Sequence, residues 1–193
     1  MALLKPNPQE RYNYKDLCDW PEGERWELIE GEPFNMTPAP GRLHQKFLVN
    51  LVQMTANFLE GKPCAVYVAP FDVRLPKGDE LDGEIDTVVQ PDLVVVCDKK
   101  KLDDKGCRGA PDWVVEILSP STTEKDLTRK RDLYEFHKVR EYWVISPNDK
   151  YVQVFDLSET GKYVQNRIYL SNAKAPVQVL QGFLVDLQKV FQE

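Results

Sequence analysis

Cysteine is scarce in this chain, and its four copies form no recognisable pattern. The 193 residues contain no C-x-x-C pair and no spacing typical of a disulfide framework. We therefore expect a reduced, cytoplasmic protein, in which Cys97, at the end of an apolar run, is a small buried hydrophobic residue. A chain of this length can bury a core without disulfides or a structural metal, so we expect one domain over residues 1–193.

Long apolar runs, repeats and low-complexity tracts are also absent. No stretch approaches the roughly 18 apolar residues that a membrane span needs, so no membrane partner is expected. A signal peptide is not expected either, because polar residues and prolines such as Lys5, Pro6 and Glu10 interrupt the first residues. Hydrophobic content of 42% with 29% charged residues is typical of a soluble globular protein.

Positive charge is not in excess, and there is no glycine-rich phosphate cradle. The net charge of -6 argues against a protein that coats nucleic acid non-specifically, although a local basic patch over an acidic site stays compatible with it. The chain has no G-x-x-x-x-G-K motif, which argues against hydrolysis of a phosphorylated small molecule as its function.

Turn residues and apolar periodicity predict an α/β fold, a mixed β-sheet flanked by helices. The predicted elements are an N-terminal hairpin over 26–36, a helix from Leu43 to Gly61, a strand from Cys64 to Leu75, strands 92–97 and 113–118, a helix from the N-cap Ser121 to about His137, a strand over 141–145, a C-terminal β-hairpin of 151–157 and 163–170, and a short helix within 183–191.

Two strands in the middle of the chain carry carboxylates where a half-buried strand disfavours them. Asp92 follows Pro91 at the start of one strand, and Glu116 lies inside the next. The connection between them is short for a crossover helix, so we expect an antiparallel pair. A register with Asp92 opposite Glu116 leaves 98–110 as a loop and brings the two Cβ atoms to about 5 Å, close enough to share a cation.

The second Pro-Asp pair fails the same geometric test. Asp112 lies four residues before Glu116, roughly 13 Å along an extended strand, and falls at the opposite end of the ladder. We expect it to be a turn or edge carboxylate. The run Lys99-Lys100-Lys101 lies at that far end too, and is interpreted as a solvated surface.

Lys130 lies on the apolar stripe of the helix that follows, between Leu127 and the pair Leu133 and Tyr134. One interpretation is that its methylene groups cover the core while its ammonium group reaches water. The other is that the ammonium points at the two carboxylates, where it could orient an attacking water and stabilise developing negative charge.

His44 and Glu27 each have a structural and a functional interpretation. His44 falls on the apolar stripe of the first long helix, where a satisfied core histidine is the more common outcome. Glu27 alternates with Leu28 in the first hairpin, which predicts a solvent-facing carboxylate in the absence of a functional role.

Taken in order, these motifs resemble the PD-(D/E)XK nuclease superfamily, and within it the Uma-type family labelled as restriction endonucleases. The resemblance extends from about residue 12 to about 157. It rests on Trp26-Glu27-Leu28-Ile29-Glu30-Gly31-Glu32, His44-Gln45, Ala69-Pro70-Phe71-Asp72-Val73, Gln90-Pro91-Asp92-Leu93, the run from Gly109 to Thr122, Asp126, Lys130, Tyr134 and Glu141-Tyr142-Trp143.

The resemblance implies a restriction-endonuclease-like core and a metal site. Asp92 and Glu116 would be the metal-binding acids, with the Ile117 carbonyl as a further ligand. Mg²⁺ suits such oxygen ligands, and Mn²⁺ could substitute for it. Glu27 would be an additional catalytic acid, and His44 a phosphate or water contact.

One position departs from the superfamily pattern. A lysine is expected two residues after the strand glutamate, but Leu118 stands there, and an apolar side chain cannot orient water. Lys130 on the following helix is its natural replacement.

The function expected from the resemblance is a Mg²⁺-dependent endonuclease acting on DNA, with a homodimer favoured if both strands are cut. The alternative is a nuclease-fold protein that has lost turnover and acts as a nucleic-acid-binding or regulatory module.

Overall fold

The structure, a computed structural model, describes residues 6–21, 23–36, 39–119 and 123–193, except for the side chains of residues 165 and 166. Its strands are β1 (Trp26–Ile29), β2 (Glu32–Asn35), β3 (Ala65–Val68), β4 (Val73–Arg74), β5 (Val88–Val89), β6 (Leu93–Val96), β7 (Leu102–Asp103), β8 (Gly106–Arg108), β9 (Trp113–Ile117), β10 (Glu141–Ser146), β11 (Tyr151–Leu157), β12 (Tyr163–Leu170), β13 (Lys174–Pro176) and β14 (Leu184–Asp186). Its α-helices are α1 (Tyr14–Cys18), α2 (Arg42–Leu59), α3 (Thr123–Lys125), α4 (Arg131–Phe136) and α5 (Leu187–Val190).

The strands form two larger sheets and a small one. In the described part of the chain, the core sheet has six strands in the order β12-β11-β10-β9-β6-β3, and the second sheet has six in the order β2-β1-β5-β4-β8-β7. Strands β13 and β14 pair separately. Among the described strands of the core sheet only β9 and β10 run parallel, and the helical segment 123–136 lies between them in the chain, as a parallel crossover requires.

Apolar side chains on both faces of the core sheet bury it between two layers. On one face, α2 and the C-terminal segment pack against alternate residues such as Val95, Trp113 and Val115. On the other face, α4 and the second sheet pack against residues such as Val94 and Val114. A strand covered on both faces is apolar without alternation, which is why β6 and β9 are continuous β-branched runs. This is the mixed α/β architecture expected from the sequence.

The predicted register of the central pair is confirmed. Strands β6 and β9 are antiparallel, with Leu93 opposite Val115 and Val95 opposite Trp113. The same register continued by one residue sets Asp92 opposite Glu116. Both predicted hairpins are present as well, as the pairs β1–β2 and β11–β12.

The single long strand predicted from Cys64 to Leu75 is wrong. The segment forms β3 in the core sheet and β4 in the second sheet, with a break between Val68 and Val73. Pro70 lies in the break, and its missing N–H cannot contribute to a ladder. The chain therefore changes sheets where the sequence pattern of β-branched residues suggests continuity.

The loop predicted over 98–110 contains structure of its own. A 3₁₀ turn covers Lys99–Lys101, and β7 and β8 form a small hairpin that joins the second sheet beside β4. Gly106 permits this contact, because a Cβ atom there would lie 2.2 Å from the carbonyl oxygen of Asp72.

The expectation of four unpaired cysteines is also wrong. Cys64 and Cys97 form a disulfide with an S–S distance of 2.05 Å, while Cys18 and Cys107 are free. The two bonded residues flank β3 and β6, whose register sets Ala65 opposite Val96 and hence Cys64 opposite Cys97. A separation of 33 residues carries no sign of this pairing, which depends on the sheet.

The helix predicted over 121–137 is present but irregular. It consists of α3, a π-helical turn over Asp126–Lys130, and α4, and we call this segment the interrupted helix. The proposed N-cap Ser121 lies outside the described residues. A π turn widens the helix locally and shifts which side chains face inward, and such turns are frequent at functional sites. Both Asp126 and Lys130 are buried.

The C-terminal region contains less helix than the sequence pattern predicts. The predicted C-terminal helix within 183–191 is shorter than expected, because β14 precedes α5 there.

None of the helices in the described ranges has the length and apolar character needed to cross a membrane.

Glu141, the first residue of β10, is a buried carboxyl that accepts hydrogen bonds from two uncharged donors. Its Oε1 accepts from Trp143 Nε1 at 2.7 Å, and its Oε2 accepts from the Val179 backbone N–H at 3.0 Å. Burial raises the pKa of this carboxyl to about 7, against these two hydrogen bonds, which favour the charged form.

Glu141 should therefore make stability fall as pH rises. Between its unfolded pKa of about 4.3 and its folded pKa of about 7, the folded protein keeps a proton that the unfolded chain has lost. The free energy of unfolding should decrease by about 3 kcal/mol across that window, and Glu141→Gln should remove this part of the slope. Urea denaturation at pH 5 and pH 7.5 measures it. Glu159→Gln, in an exposed turn, is the control, and an equal slope in both variants would refute the assignment.

Candidate active site

The candidate site is built around Asp92, just before β6, and Glu116, within the neighbouring strand β9. Asp92 immediately precedes β6, and its Oδ2 accepts from the Ile117 backbone N–H at 2.7 Å. Glu116 lies inside β9 and is 4% exposed. The hydrogen bond from Ile117 fixes the Asp92 carboxylate against β9, one residue beyond Glu116. Both carboxylates and Ile117 border one cavity of about 610 Å³.

Lys130, on the π turn of the interrupted helix, points at these carboxylates. Its Nζ donates to Glu116 Oε1 at 2.7 Å and to Glu27 Oε1 at 2.7 Å, and lies 3.8 Å from Asp126 Oδ1. The side chain is 1% exposed, so the interpretation in which its ammonium reaches bulk water is wrong. Leu118, at the superfamily's usual lysine position, is buried in the apolar core instead.

Glu27 is fully buried, which overturns the interpretation of a solvent-facing strand carboxylate. Its Oε2 accepts from Lys125 Nζ at 2.7 Å, and its Oε1 accepts from Lys130 Nζ and from the Gln90 backbone N–H. Burial alone would raise the pKa of this carboxyl. The ammonium groups of Lys130 and Lys125 outweigh burial and lower the pKa to about 2, so Glu27 is a permanent anion.

Glu116 has the opposite protonation behaviour. Burial is the main cause that raises its pKa, to about 8, and the nearby anions Asp126, Asp92 and Glu27 add to the shift. The Lys130 ammonium group opposes the shift but is shared with Glu27. Tyr134 Oη also donates to Glu116 Oε1, at 2.9 Å. We call Glu27, Asp92, Glu116, Asp126, Lys125, Lys130 and Tyr134 the cluster. Within it, the positive charge near Glu116 does not offset the effect of burial and of the neighbouring anions on its pKa.

The same carboxylates act on Lys130. Burial opposes the charged form of this side chain, but Glu116, Glu27 and Asp126 outweigh it and hold the Lys130 pKa well above its ordinary value. These carboxylates therefore favour the charged form of Lys130.

His44 reaches the site from α2. Its ring is buried, and Nε2 lies 3.1 Å from Asp92 Oδ2. An ionised carboxylate can only accept, so His44 Nε2 carries the proton in this contact. His44 is therefore not an ordinary core histidine, because its ring and the Ile117 backbone N–H both contact Oδ2 of Asp92.

Asp112 and the lysine run lie away from these groups, as the register predicted. Asp112 Oδ2 accepts from the Cys97 backbone N–H at 2.6 Å, and Oδ1 pairs with Arg140 Nη2 at 2.5 Å. Its carboxylate accepts a hydrogen bond from the residue that follows β6, at the end of the β6–β9 ladder away from Glu116. Neither Asp112 nor any residue of Lys99–Lys101 borders the cavity.

The charges in the cluster leave room for a divalent cation. The side chains of Glu27, Asp92, Glu116 and Asp126 carry four carboxylates, and Lys125 and Lys130 carry two ammonium groups. Among the described residues no Lys or Arg pairs with Asp92, and the pKa of the adjacent Glu116 is raised, so a cation would fit beside these two carboxylates. No group of three or more His, Cys, Asp or Glu side chains poised to hold a metal occurs within 6–21, 23–36, 39–119 and 123–193.

Sequence reasoning assigned no role to Lys125, Asp126 or Tyr134, although all three lie in the cluster. The spacing of Asp126 and Lys130 by four residues was a usable sign, because such pairs meet on a helix. Tyr134 is likewise four residues from Lys130. Lys125 had no sequence signal, since its partner Glu27 is 98 residues away.

Three comparisons with known proteins bear on this fold and site. A crystal structure described as a putative nuclease belonging to DUF820, from Anabaena variabilis, matches with a TM-score of 0.73 and 18% sequence identity, covering 93% of this chain and 97% of that chain. At that identity the likeness shows the fold. No curated protein matches the chain significantly. The model of the Uma2 family, described as "Putative restriction endonuclease", matches residues 12–188, so this chain belongs to the Uma2 family.

Proposed function

We propose that this chain is a Mg²⁺-dependent endonuclease that hydrolyses phosphodiester bonds of DNA. The observation that carries the proposal is the contact of Lys130 Nζ with Glu116 Oε1 at 2.7 Å, in the cavity that Asp92 also borders. This contact brings a lysine next to an acid, as a nuclease site needs, although Leu118 stands at the position of the strand lysine. Family membership and the nuclease-like fold support the same activity.

Asp92 and Glu116 would hold the metal, with the Ile117 carbonyl as a third protein ligand. Mg²⁺ commonly binds proteins through one or two carboxylates and keeps several waters, and Mn²⁺ accepts the same oxygen ligands. When bound, the ion supplies a Lewis acid for the phosphate and for the attacking water.

The protein's own side chains have separate tasks. In hydrolysis a water molecule loses a proton as its oxygen forms a new bond to phosphorus, the bond from phosphorus to the leaving oxygen breaks, and the leaving oxygen takes up a proton. Lys130 would orient the water and stabilise the negative charge that develops on the phosphate. Glu27 keeps Lys130 charged and in place, and is a positioning residue. His44 orients Asp92 and is a candidate contact for the phosphate or water.

The cavity rim supports a nucleic-acid substrate. Three cationic side chains, Arg25, Lys125 and Arg129, border the same cavity as the acids. Lys125 pairs with Glu27 and Arg129 with Glu32, whereas Arg25 has no carboxylate partner among the described residues. Arg25 is therefore the cation of this rim that we expect to contact a phosphate. With one site in each chain, cutting both strands of a duplex would require two copies, as in a homodimer.

Asp92→Asn and Glu116→Gln should each abolish cleavage, because a lost ligand oxygen weakens the metal site. We expect at least a hundredfold drop in the cleavage rate, the upper range for losing even an outer metal-site partner. Plasmid, single-stranded and branched DNA, and RNA, are incubated with Mg²⁺ or Mn²⁺. Asp112→Asn is the matched control, also an aspartate after proline, and should cut like the wild type. Equal activity in all four proteins would sink the proposal.

Lys130→Gln should lose both stability and cleavage, because Glu27 and Glu116 would be left buried without their shared cation. Removing one partner of a buried ion pair costs about 3 kcal/mol or more. Combining it with Glu27→Gln should restore part of the stability without restoring cleavage. Denaturant unfolding and the cleavage assay measure the two effects. Recovery of cleavage in the double variant would show that Lys130 has no role in the chemistry.

Mg²⁺ should raise the melting temperature of the wild type by about 5 °C at a hundredfold excess over its dissociation constant, because a ligand that binds only the folded state stabilises it. Glu116→Gln should show no such shift, and Asp112→Asn should show the full shift. Differential scanning calorimetry in EDTA and in Mg²⁺ makes the comparison. A shift that survives in Glu116→Gln would place the ion elsewhere.

A further inference from the structure

A second cavity, of about 350 Å³, lies between α2 and the end of β3, and we call it the side cavity. Strand β3 is an edge strand of the core sheet, so this side of α2 has no neighbouring strand beyond it. Most of its wall is apolar. The apolar lining residues are Pro40, Leu48, Val49, Val52, Val68 and Ala69.

The side cavity adjoins the catalytic cavity. Both are bordered by Arg25, Pro40 and Asp92. Asp92 is one of the two proposed metal acids, so a group in the side cavity would be next to the scissile phosphate. For a nucleic-acid strand, the group attached next to a phosphate is a nucleoside.

Arg25 stands at the junction of the two cavities. Its Nε and Nη2 both donate to Gln90 Oε1, each at 3.1 Å, which fixes the plane of the guanidinium group. Gln90 in turn is anchored by donating to Asp72 Oδ1 at 2.9 Å. Within the described residues Arg25 forms no ion pair, and the side chain that accepts its hydrogen bonds is a neutral amide. A planar guanidinium held this way is suited to a phosphate.

Two glutamine side chains provide the polar part of the side cavity. Gln45 and Gln53 lie on the same face of α2, one on either side of Val49, and both are exposed. A primary amide offers both a donor and an acceptor, which can meet the edge of any base. The apolar walls can cover the faces of a base and the amides can bind its edge without selecting one base.

We propose that the side cavity receives one unpaired nucleobase next to the scissile phosphate, while Arg25 binds the phosphate that links it to the cleavage site. This inference rests on the proposed nuclease function and names its substrate class. A base inside a duplex is stacked and paired, and must leave the stack to enter such a cavity. Single strands, flaps, bulges and mismatched sites are therefore the preferred substrates over fully paired DNA.

Filling the side cavity tests the proposal. Val49 is 58% exposed, so Val49→Trp can be accommodated by the fold while its ring occupies the space of the base. Val164, on β12 at the other end of the core sheet, is 62% exposed, and Val164→Trp is the matched control. Wild type should cut single-stranded and mismatched DNA faster than the intact duplex. Val49→Trp should lower kcat/KM on single strands about tenfold, and Val164→Trp should not.

A binding measurement separates this proposal from the nuclease proposal. Fluorescence anisotropy in Ca²⁺ compares an ordinary oligonucleotide with a wholly abasic strand of the same length, which keeps the phosphates and lacks the bases. Wild type should bind the ordinary strand about tenfold more tightly, and Val49→Trp should reduce that preference. If wild type shows this preference without cleaving any substrate, the base site stands and the nuclease proposal falls.

Three outcomes would overturn the base site. One is a wild type that binds abasic and ordinary strands equally, and another is a wild type that cuts the intact duplex fastest. The third is a Val49→Trp variant whose strand binding is unchanged but whose mass by light scattering differs from that of Val164→Trp. That result would make the side cavity a contact between copies of this chain.

Discussion

The candidate site depends on the contacts that the ammonium group of Lys130 makes with two carboxylates. This ammonium group lies 2.7 Å from carboxylate oxygens of both Glu27 and Glu116, and all three side chains are buried. Removing charges from water is costly, and a buried charge is tolerated only with partners in good geometry. The three residues come from β1, β9 and the interrupted helix, so this one cation ties the second sheet to the core sheet. The two carboxylates are therefore compensated where the second sheet, the core sheet and the interrupted helix meet.

One cation shared by two carboxylates gives them different protonation behaviour. Glu27 also has Lys125, and its pKa falls to about 2, whereas Glu116 has only its share of Lys130 and its pKa rises to about 8. The structure therefore separates a permanent anion, which holds Lys130, from a carboxylate still short of positive charge, which faces the cavity beside Asp92. That asymmetry supports a metal position at Glu116 and a positioning role at Glu27.

Sequence reasoning succeeded where local geometry is periodic. A short connection and the two-residue period of a strand were enough to set Asp92 opposite Glu116 and to leave Asp112 at the other end, and the observed register agrees. It failed where pairing depends on distant segments. The pattern from Cys64 to Leu75 suggested one strand although the chain changes sheets there, and the Cys64–Cys97 disulfide follows from the β3–β6 register, which no cysteine spacing reveals.

The sequence by itself determined the α/β fold class, the antiparallel pair with its two acids, the family resemblance and the departure at Leu118. These features depend on residues near one another along the chain or on motifs in a fixed order. Only the tertiary structure decided where Lys130 and Glu27 point, because the exposure of a side chain depends on what packs over it. Glu27 and Lys130 are separated by 103 residues, and a contact over that distance is set by how the sheets and the helix pack.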